Sequence, residues 1–252
     1  MAEVGETALL GGRVRLLQPE KGYRAAIDPV FLAASVPARE GERVLELGCG
    51  TGAALLCLAA RVQGCALTGL ELQPFAAGLV RESADLTGVA DRVTVVEGDL
   101  SDPPPDLKPN SFHHVMMNPP FHEAGRHTPS PHAHKAQSHG EGTADLAAWV
   151  QGALRFLKSR GTLTAIYPAD RLEHLLALLA GRFGDIRVFP LWPRQGLPAK
   201  RVIVQARRDA RGPTLLLPGL VLHGEGSGYA PQAEAVLRDA APLDLSGNNP
   251  NL

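Results

Sequence analysis

Val44-Leu45-Glu46-Leu47-Gly48-Cys49-Gly50-Thr51-Gly52 reads as a buried strand, Arg43–Leu47, running straight into a turn with glycine at every second position. The mostly apolar run suits a strand covered on both faces, and the glycines allow φ values and a backbone approach that a Cβ would block. Outward from this turn the pattern alternates. A helix over Gly52–Val62 is followed by a strand at Ala66–Leu70, a helix at Pro74–Leu86 with proline in its first turn, and strands at Val93–Val96 and Phe112–Met117. A helix at Leu146–Leu157, a strand at Thr162–Tyr167 and a leucine-striped helix at Leu172–Leu179 come next. Ile186–Leu191 and Val202–Ala206, joined by the turn Pro193–Pro198, close the series as a hairpin. The alternation predicts an α/β fold: a Rossmann-like, doubly wound, mostly parallel seven-stranded sheet with an antiparallel terminal hairpin.

The flanks are less regular. Leu9-Leu10 and Val14–Leu17 read as two short strands around Gly11-Gly12, and Asp28-Pro29 as the N-cap and first residue of a helix. Leu215–Leu217 and Leu220–Leu222 read as edge strands, and Ser246–Leu252 as a frayed end. One domain over 1–252 is expected, with the hairpin and helix in 1–40, the Rossmann-like core in 41–207 and a C-terminal extension in 208–252. At 252 residues, 44% hydrophobic and 20% charged, the chain can bury a proper core. The three cysteines, Cys49, Cys57 and Cys65, have neither disulfide nor zinc spacing. With no leader-like N-terminus and no long apolar run, they predict a cytoplasmic protein without membrane contact.

Ligands of such sheets bind past the carboxyl ends of the strands, where strand order reverses. The residues there are Gly48, Gly50 and Gly52, then Glu71 with Leu72, then Asp99 with Leu100, then Asn118 to Phe121. The glycines alone do not separate two cofactors, because Gly48, Gly50 and Ala53 also fit the GxGxxG/A dinucleotide fingerprint of an NAD-dependent oxidoreductase. Glu46 favours S-adenosylmethionine, whose ammonium and sulfonium are cationic; a pyrophosphate beside that carboxylate would be repelled. Glu71 is placed to accept from ribose hydroxyls and Asp99 from an adenine amino group. Each also has a plainer reading, Glu71 as a helix cap and Asp99 as a turn former.

Asn118-Pro119-Pro120-Phe121 is the candidate transfer site. An exocyclic purine amine is a poor nucleophile because its lone pair is delocalised into the ring. Acceptors at the Asn118 side chain and the Pro119 carbonyl would orient such an amine, the two prolines would stiffen that backbone, and Phe121 offers a face for a base. The plainer reading is a Pro-Pro turn ending a strand.

With these motifs the sequence resembles, over about residues 15–207, the class I S-adenosylmethionine-dependent methyltransferases that carry an (Asn/Asp)-Pro-Pro-(Tyr/Phe) motif. More narrowly it is similar to the bacterial tRNA(Val) adenine-N6 methyltransferases, through Gln18-Pro19-Glu20-Lys21-Gly22-Tyr23-Arg24 and Ile27-Asp28-Pro29-Val30-Phe31-Leu32-Ala33 ahead of Glu46–Gly52. The resemblance implies N6 methylation of a tRNA adenosine beside the anticodon. It also implies a cofactor held by Gly48, Gly50, Glu71 and Asp99, a base held by Asn118 and Phe121, and Tyr23 and Asp28 near the cofactor's methionine end. His122 after the motif is a combination also seen in ribosomal-RNA guanine-N2 methyltransferases, and glutamine methyltransferases acting on release factors use a similar motif. Both remain alternatives.

The formal charge of −1 excludes a protein that grips nucleic acid over its whole surface. Charge is concentrated instead. From Arg182 to Arg211 there are eight cationic side chains against two acids. Within that segment Arg194, Lys200 and Arg201 are the candidate RNA contacts, although a charge-protected hairpin edge reads the same way. His122, His127, His132, His134 and His139 crowd the aperiodic stretch from Phe121 to Thr143, which reads as a lid or a disordered segment. Their irregular spacing and the lack of cysteine argue against a metal and for lid or phosphate contacts shared with Arg126 and Lys135. Trp149, on an apolar helical stripe, reads as core, and Trp192 as a residue that stacks on a base.

Overall fold

The computed structural model describes residues 3–20, 27–120 and 146–246. Tyr23, Phe121, the histidine-rich stretch, Arg126, Lys135 and the expected frayed end beyond Ser246 lie outside them. A hairpin of β1 (Val4–Leu9) and β2 (Val14–Pro19) comes first, then α1 (Asp28–Ser35), β3 (Arg43–Leu47), α2 (Ala53–Arg61), β4 (Ala66–Glu71), α3 (Pro74–Thr87) and β5 (Val93–Glu97). Next come β6 (Phe112–Met117), α4 (Leu146–Phe156), β7 (Leu157–Pro168), α5 (Leu172–Leu179), β8 (Phe183–Trp192) and β9 (Arg201–Arg208). The short strands β10 (Leu215–Leu216) and β11 (Leu220–Val221) and the helix α6 (Pro231–Asp239) end the chain.

The main sheet runs β10-β8-β9-β7-β6-β3-β4-β5, with β11 also on β8. β3 to β7 are parallel, and β9 is antiparallel to both β7 and β8. The seven expected strands, β3 to β9, are thus present, and β10 and β11 extend the β8 edge in parallel. Each strand feeds two cores, as period-2 geometry requires. Val44, Met116 and Ile203 face α1 and α2, whereas Leu45, Leu47, Val115, Met117 and Val204 face α4 and α5.

Several features differ from the sequence reading. The first strand begins at Val4, because Val4–Leu9 pairs in full with Val14–Pro19 while Leu10–Gly12 forms a 3-10 turn. The α4 helix passes into β7 at Leu157 without a loop, and the β6–β7 register shifts between Phe112 and His114. Asp28 is the first residue of α1 rather than its cap, the flanking residue being Ile27. The helix α6 was not anticipated; it starts at Pro231 and buries only Ala233 and Val236, too short a stripe to stand out.

The two ends of the chain close one core, which runs from Leu10 to Leu245. The outward edge of β2 is satisfied by α3, since Leu17 N–H donates to Ser83 Oγ at 2.9 Å and Arg15 N–H to Thr87 Oγ1 at 3.1 Å. Ser83 and Thr87 are four apart and share a helix face. Arg13 donates to the Arg238 carbonyl at 2.6 Å, and Leu243 N–H to the Ala34 carbonyl at 2.9 Å.

Candidate active site

β3 is the switch point of the sheet: Leu47 is in register with Leu70 of β4 on one side and with Met117 of β6 on the other. The next residues, Gly48, Glu71 and Asn118, therefore stand side by side at one edge of the sheet. Three motifs far apart in sequence become one site by register alone.

The glycines of the turn have φ of 58° at Gly48, 54° at Gly50 and 85° at Gly52, all in the left-handed region. Their surroundings differ. A Cβ on Gly48 would lie 2.3 Å from the ring of Trp149, and one on Gly52 would lie 2.8 Å from Val80, whereas one on Gly50 would meet none of the described residues within 4 Å. Two glycines admit protein, and the third faces open space. Trp149 is buried as expected, and it is the reason for Gly48.

Glu71 fastens the turn. One carboxylate oxygen accepts the Gly50 N–H at 2.7 Å and the other the Gln73 N–H at 2.9 Å. Cys49 N–H donates to the Leu70 carbonyl at 3.0 Å, and Gly98 N–H to that of Glu71 at 2.9 Å. The plainer reading of Glu71 is partly realised, since Gln73 flanks α3 and gains its bond from this side chain. Its four lone-pair sites still leave room for two more donors.

Glu46 is 4% exposed, and among the described residues its Oε2 lacks a hydrogen-bond partner. Burial pushes its carboxyl well above the usual range, the nearby Glu71 charge adds to the shift, and the Leu55 N–H opposes it. Burial also pushes up the Cys49 and Cys57 thiols, so neither suits a thiolate nucleophile.

Asp99 takes its turn-forming role, with Oδ1 accepting the Ser101 N–H at 2.7 Å. Leu100 packs toward α4, close enough that a Cβ on Gly152 would lie 2.4 Å from its Cδ1. Leu72 is 45% exposed at the same edge, and Phe75 beside it is 51% exposed. Sequence reading missed Phe75. The signal was phase, because the buried stripe of α3 (Ala76, Ala77, Leu79, Val80, Ser83, Ala84) leaves it out. Asn118 is half-buried, Pro119 buried and Pro120 exposed.

Most of the basic side chains also bind the chain itself. Arg201 pairs with Asp28 at 2.8 Å, and that pair accounts for both side chains without a ligand. Arg194 donates to the carbonyls of Gly224 and Gly226. Trp192 is half-buried, and its Nε1 donates to the Pro218 carbonyl at 3.0 Å. Arg208 donates to the carbonyls of Leu154 and Leu157, tying β9 to the junction of α4 and β7. Of the three candidate RNA contacts, Lys200 presents an exposed side chain, with no side-chain hydrogen bond or ion pair among the described residues. Among the described residues, no cluster of three or more metal-ligating side chains occurs.

The chain is 29% identical over 177 residues to a tRNA1(Val) (adenine(37)-N6)-methyltransferase of Porphyromonas gingivalis, covering 67% of this chain and 66% of that protein. A protein of the same name from Dickeya chrysanthemi is 28% identical over 223 residues, covering 86% and 87%. The chain thus spans just under two thirds of the Porphyromonas relative's length, and more of the Dickeya one. Among solved structures, a predicted O-methyltransferase of Agrobacterium tumefaciens superposes with a TM-score of 0.72 at 24% identity, over 86% of this chain and 98% of that one. That likeness shares the fold. The family described as methyltransferase small domain matches residues 26–189, well over half of the sequence, and the chain belongs to it.

Proposed function

We propose that the protein transfers a methyl group from S-adenosylmethionine to an exocyclic purine nitrogen of RNA, N6 of an adenosine in tRNA. The alignment of Gly48, Glu71 and Asn118 at one sheet edge carries this reading. The names of the Porphyromonas and Dickeya relatives support the choice of acceptor.

The residues present fit the cofactor. Open space over Gly50 admits a ligand against the turn, the exposed Leu72 offers it an apolar wall, and the unpartnered Glu46 Oε2 suits a cation. Glu71 keeps acceptor capacity for hydroxyls. When bound, S-adenosylmethionine supplies an electrophilic methyl group. Asn118 Oδ1 and the Pro119 carbonyl accept hydrogen bonds from the target amine and orient its lone pair; Phe121 would cover the base. The hairpin, core and C-terminal extension are proposed to act as one domain, supported by the core that Leu10 and Leu245 share. Three free, buried cysteines support a cytoplasmic setting, and no helix among the described residues is long and apolar enough to cross a membrane.

The test is transfer of labelled methyl to bulk tRNA, ribosomal RNA and protein, followed by nucleoside and amino-acid analysis. N6-methyladenosine in tRNA is expected; N2-methylguanosine or methylglutamine instead would overturn the acceptor. Asn118→Ala should lower kcat by about a hundredfold or more while the cofactor Kd stays within twofold. Equal loss of both would refute its role.

A further inference from the structure

The turn between β8 and β9, residues 193–200, projects past the same sheet edge as Asn118. Arg201 pairs with Pro168 at the end of β7, and β7 lies beside β6. At the usual strand spacing the turn stands about 10–15 Å to the side of Asn118.

It is held at both ends. At one end the Trp192 and Pro193 carbonyls accept the N–H groups of Leu222 and His223 at 2.7 and 3.2 Å, and the Arg194 guanidinium reaches the Gly224 and Gly226 carbonyls. At the other end the Ala169 N–H donates to the Lys200 carbonyl at 3.1 Å, and Arg201 is paired with Asp28. Inside, Gly196 has a φ of 77° and Leu197 N–H donates to the Arg194 carbonyl at 3.2 Å, closing a tight turn. This anchored backbone carries Leu197, 49% exposed, and the exposed Lys200. From Leu191 to Arg208 there are five cationic side chains and no acid.

We infer that this turn is an RNA-contacting tip whose contacts run through Leu197 and Lys200, with Arg194 and Arg201 serving as its clamps. The inference rests on the RNA methyl-transfer reading. A lone exposed leucine is ordinary on a protein surface. This one stands on a backbone fixed from two sides, within a wholly basic stretch, beside a site whose substrate must present an unstacked base. An apolar side chain there can lie against a splayed base while Lys200 neutralises a neighbouring phosphate. Because the tip is already ordered, little conformational freedom is lost when it is used.

The test compares Leu197→Ser, Lys200→Ala, Arg194→Ala and Arg201→Ala with the unaltered protein, reading KM for bulk tRNA, salt dependence, cofactor Kd and Tm. Leu197→Ser and Lys200→Ala should each raise KM for RNA about five- to tenfold at constant Tm and cofactor Kd. Lys200→Ala should also reduce the slope of log affinity against log salt by about 0.7–0.9, the value for one phosphate contact. The two arginine variants should lower Tm. Values of KM within twofold for both tip variants, with normal RNA methylation by the unaltered protein, would overturn the tip alone. An Arg201→Ala protein with unchanged Tm and a reduced salt slope would also overturn it, by making that arginine the phosphate contact. No transfer to any RNA by the unaltered protein would overturn the tip together with the reading beneath it.

Discussion

Alanine at Gly48 and at Gly50 should have opposite consequences, although the two residues are neighbours in one turn and share nearly the same φ, 58° and 54°. Both variants force an L-residue into the left-handed region at a cost of about 1–2 kcal/mol. At Gly50 that is the whole cost, because the new methyl meets none of the described residues within 4 Å. At Gly48 the methyl would lie 2.3 Å from Trp149 Cη2, and relieving such overpacking in a filled core adds about 1–3 kcal/mol. Urea unfolding of the cofactor-free proteins should therefore show Gly48→Ala as the less stable by at least about 1 kcal/mol. Replacing Trp149 by Phe removes the ring atoms involved, so the Gly48→Ala cost should shrink in a double-mutant cycle. Calorimetry with S-adenosylmethionine should give the reverse order: the methyl at Gly50 stands where the ligand is proposed to approach, and the Kd should rise about tenfold, equivalent to about 1.4 kcal/mol. A Gly50→Ala protein that binds the cofactor within twofold of the original, or equal stabilities for the two variants, would refute the division of the turn into a protein-facing and a ligand-facing glycine.

The buried carboxyl of Glu46 should appear in the pH dependence of stability. Its folded pKa is raised, so its contribution is fully present below about 4.5 and is lost as pH rises through the folded value. Cofactor-free Glu46→Gln should therefore gain on the original protein between pH 5 and pH 8, by about 1.4 kcal/mol for each unit of elevation; a constant difference would rule this out. His114 has the opposite sign. Burial holds the ring below its ordinary pKa despite the 2.9 Å hydrogen bond between Nε2 and Glu42, and among the described residues Nδ1 lacks a partner, so the ring is neutral near pH 7. Its contribution is present above about 6.5 and is lost as pH falls below it. His114→Gln should flatten that acid limb in urea titrations, and an unchanged limb would show that the ring is not the titrating group.

The sequence was most readable where a requirement is local. Glycines at 48, 50 and 52 answer to backbone angles set within the turn, and strands covered on both faces announce themselves as apolar runs. The residues that reach the sheet's carboxyl edge were readable too, because that edge of a parallel sheet is fixed once the strands are found. What escaped was partnership at long range. Asp28 read as a cap because Pro29 follows it, yet its carboxylate pairs with Arg201, 173 residues away, and no local pattern encodes that choice. Arg194, Arg201 and Trp192 read as ligand-facing because arginine and tryptophan suit RNA; the local pattern gave no sign that carbonyls and a carboxylate of the chain itself also hold them. Glu71 lay between these cases. Its position was plain, but not that it already serves two backbone N–H groups.

That division between Glu71 and Glu46 bears on how the site selects its ligand. Glu71, the Cys49 and Gly98 N–H groups and the Gly52 N–H to Cys49 carbonyl bond at 2.8 Å build the turn before any ligand arrives, so little loop ordering opposes binding. Shape alone would then admit any nucleoside that fits over Gly50. Glu46 differs because it lies buried with one oxygen unpartnered and its charge opposed by Glu71. An anionic ligand only deepens that opposition and leaves the carboxyl protonated. A cationic one favours its ionisation and recovers part of the desolvation cost, so binding should release a proton when the free protein holds Glu46 neutral. On this argument the backbone sets where the ligand lies and Glu46 sets its charge. Glu46→Gln should accordingly weaken the cationic cofactor more than its neutral-sulfur product, S-adenosylhomocysteine, whereas equal weakening would confine Glu46 to supporting the first turn of α2.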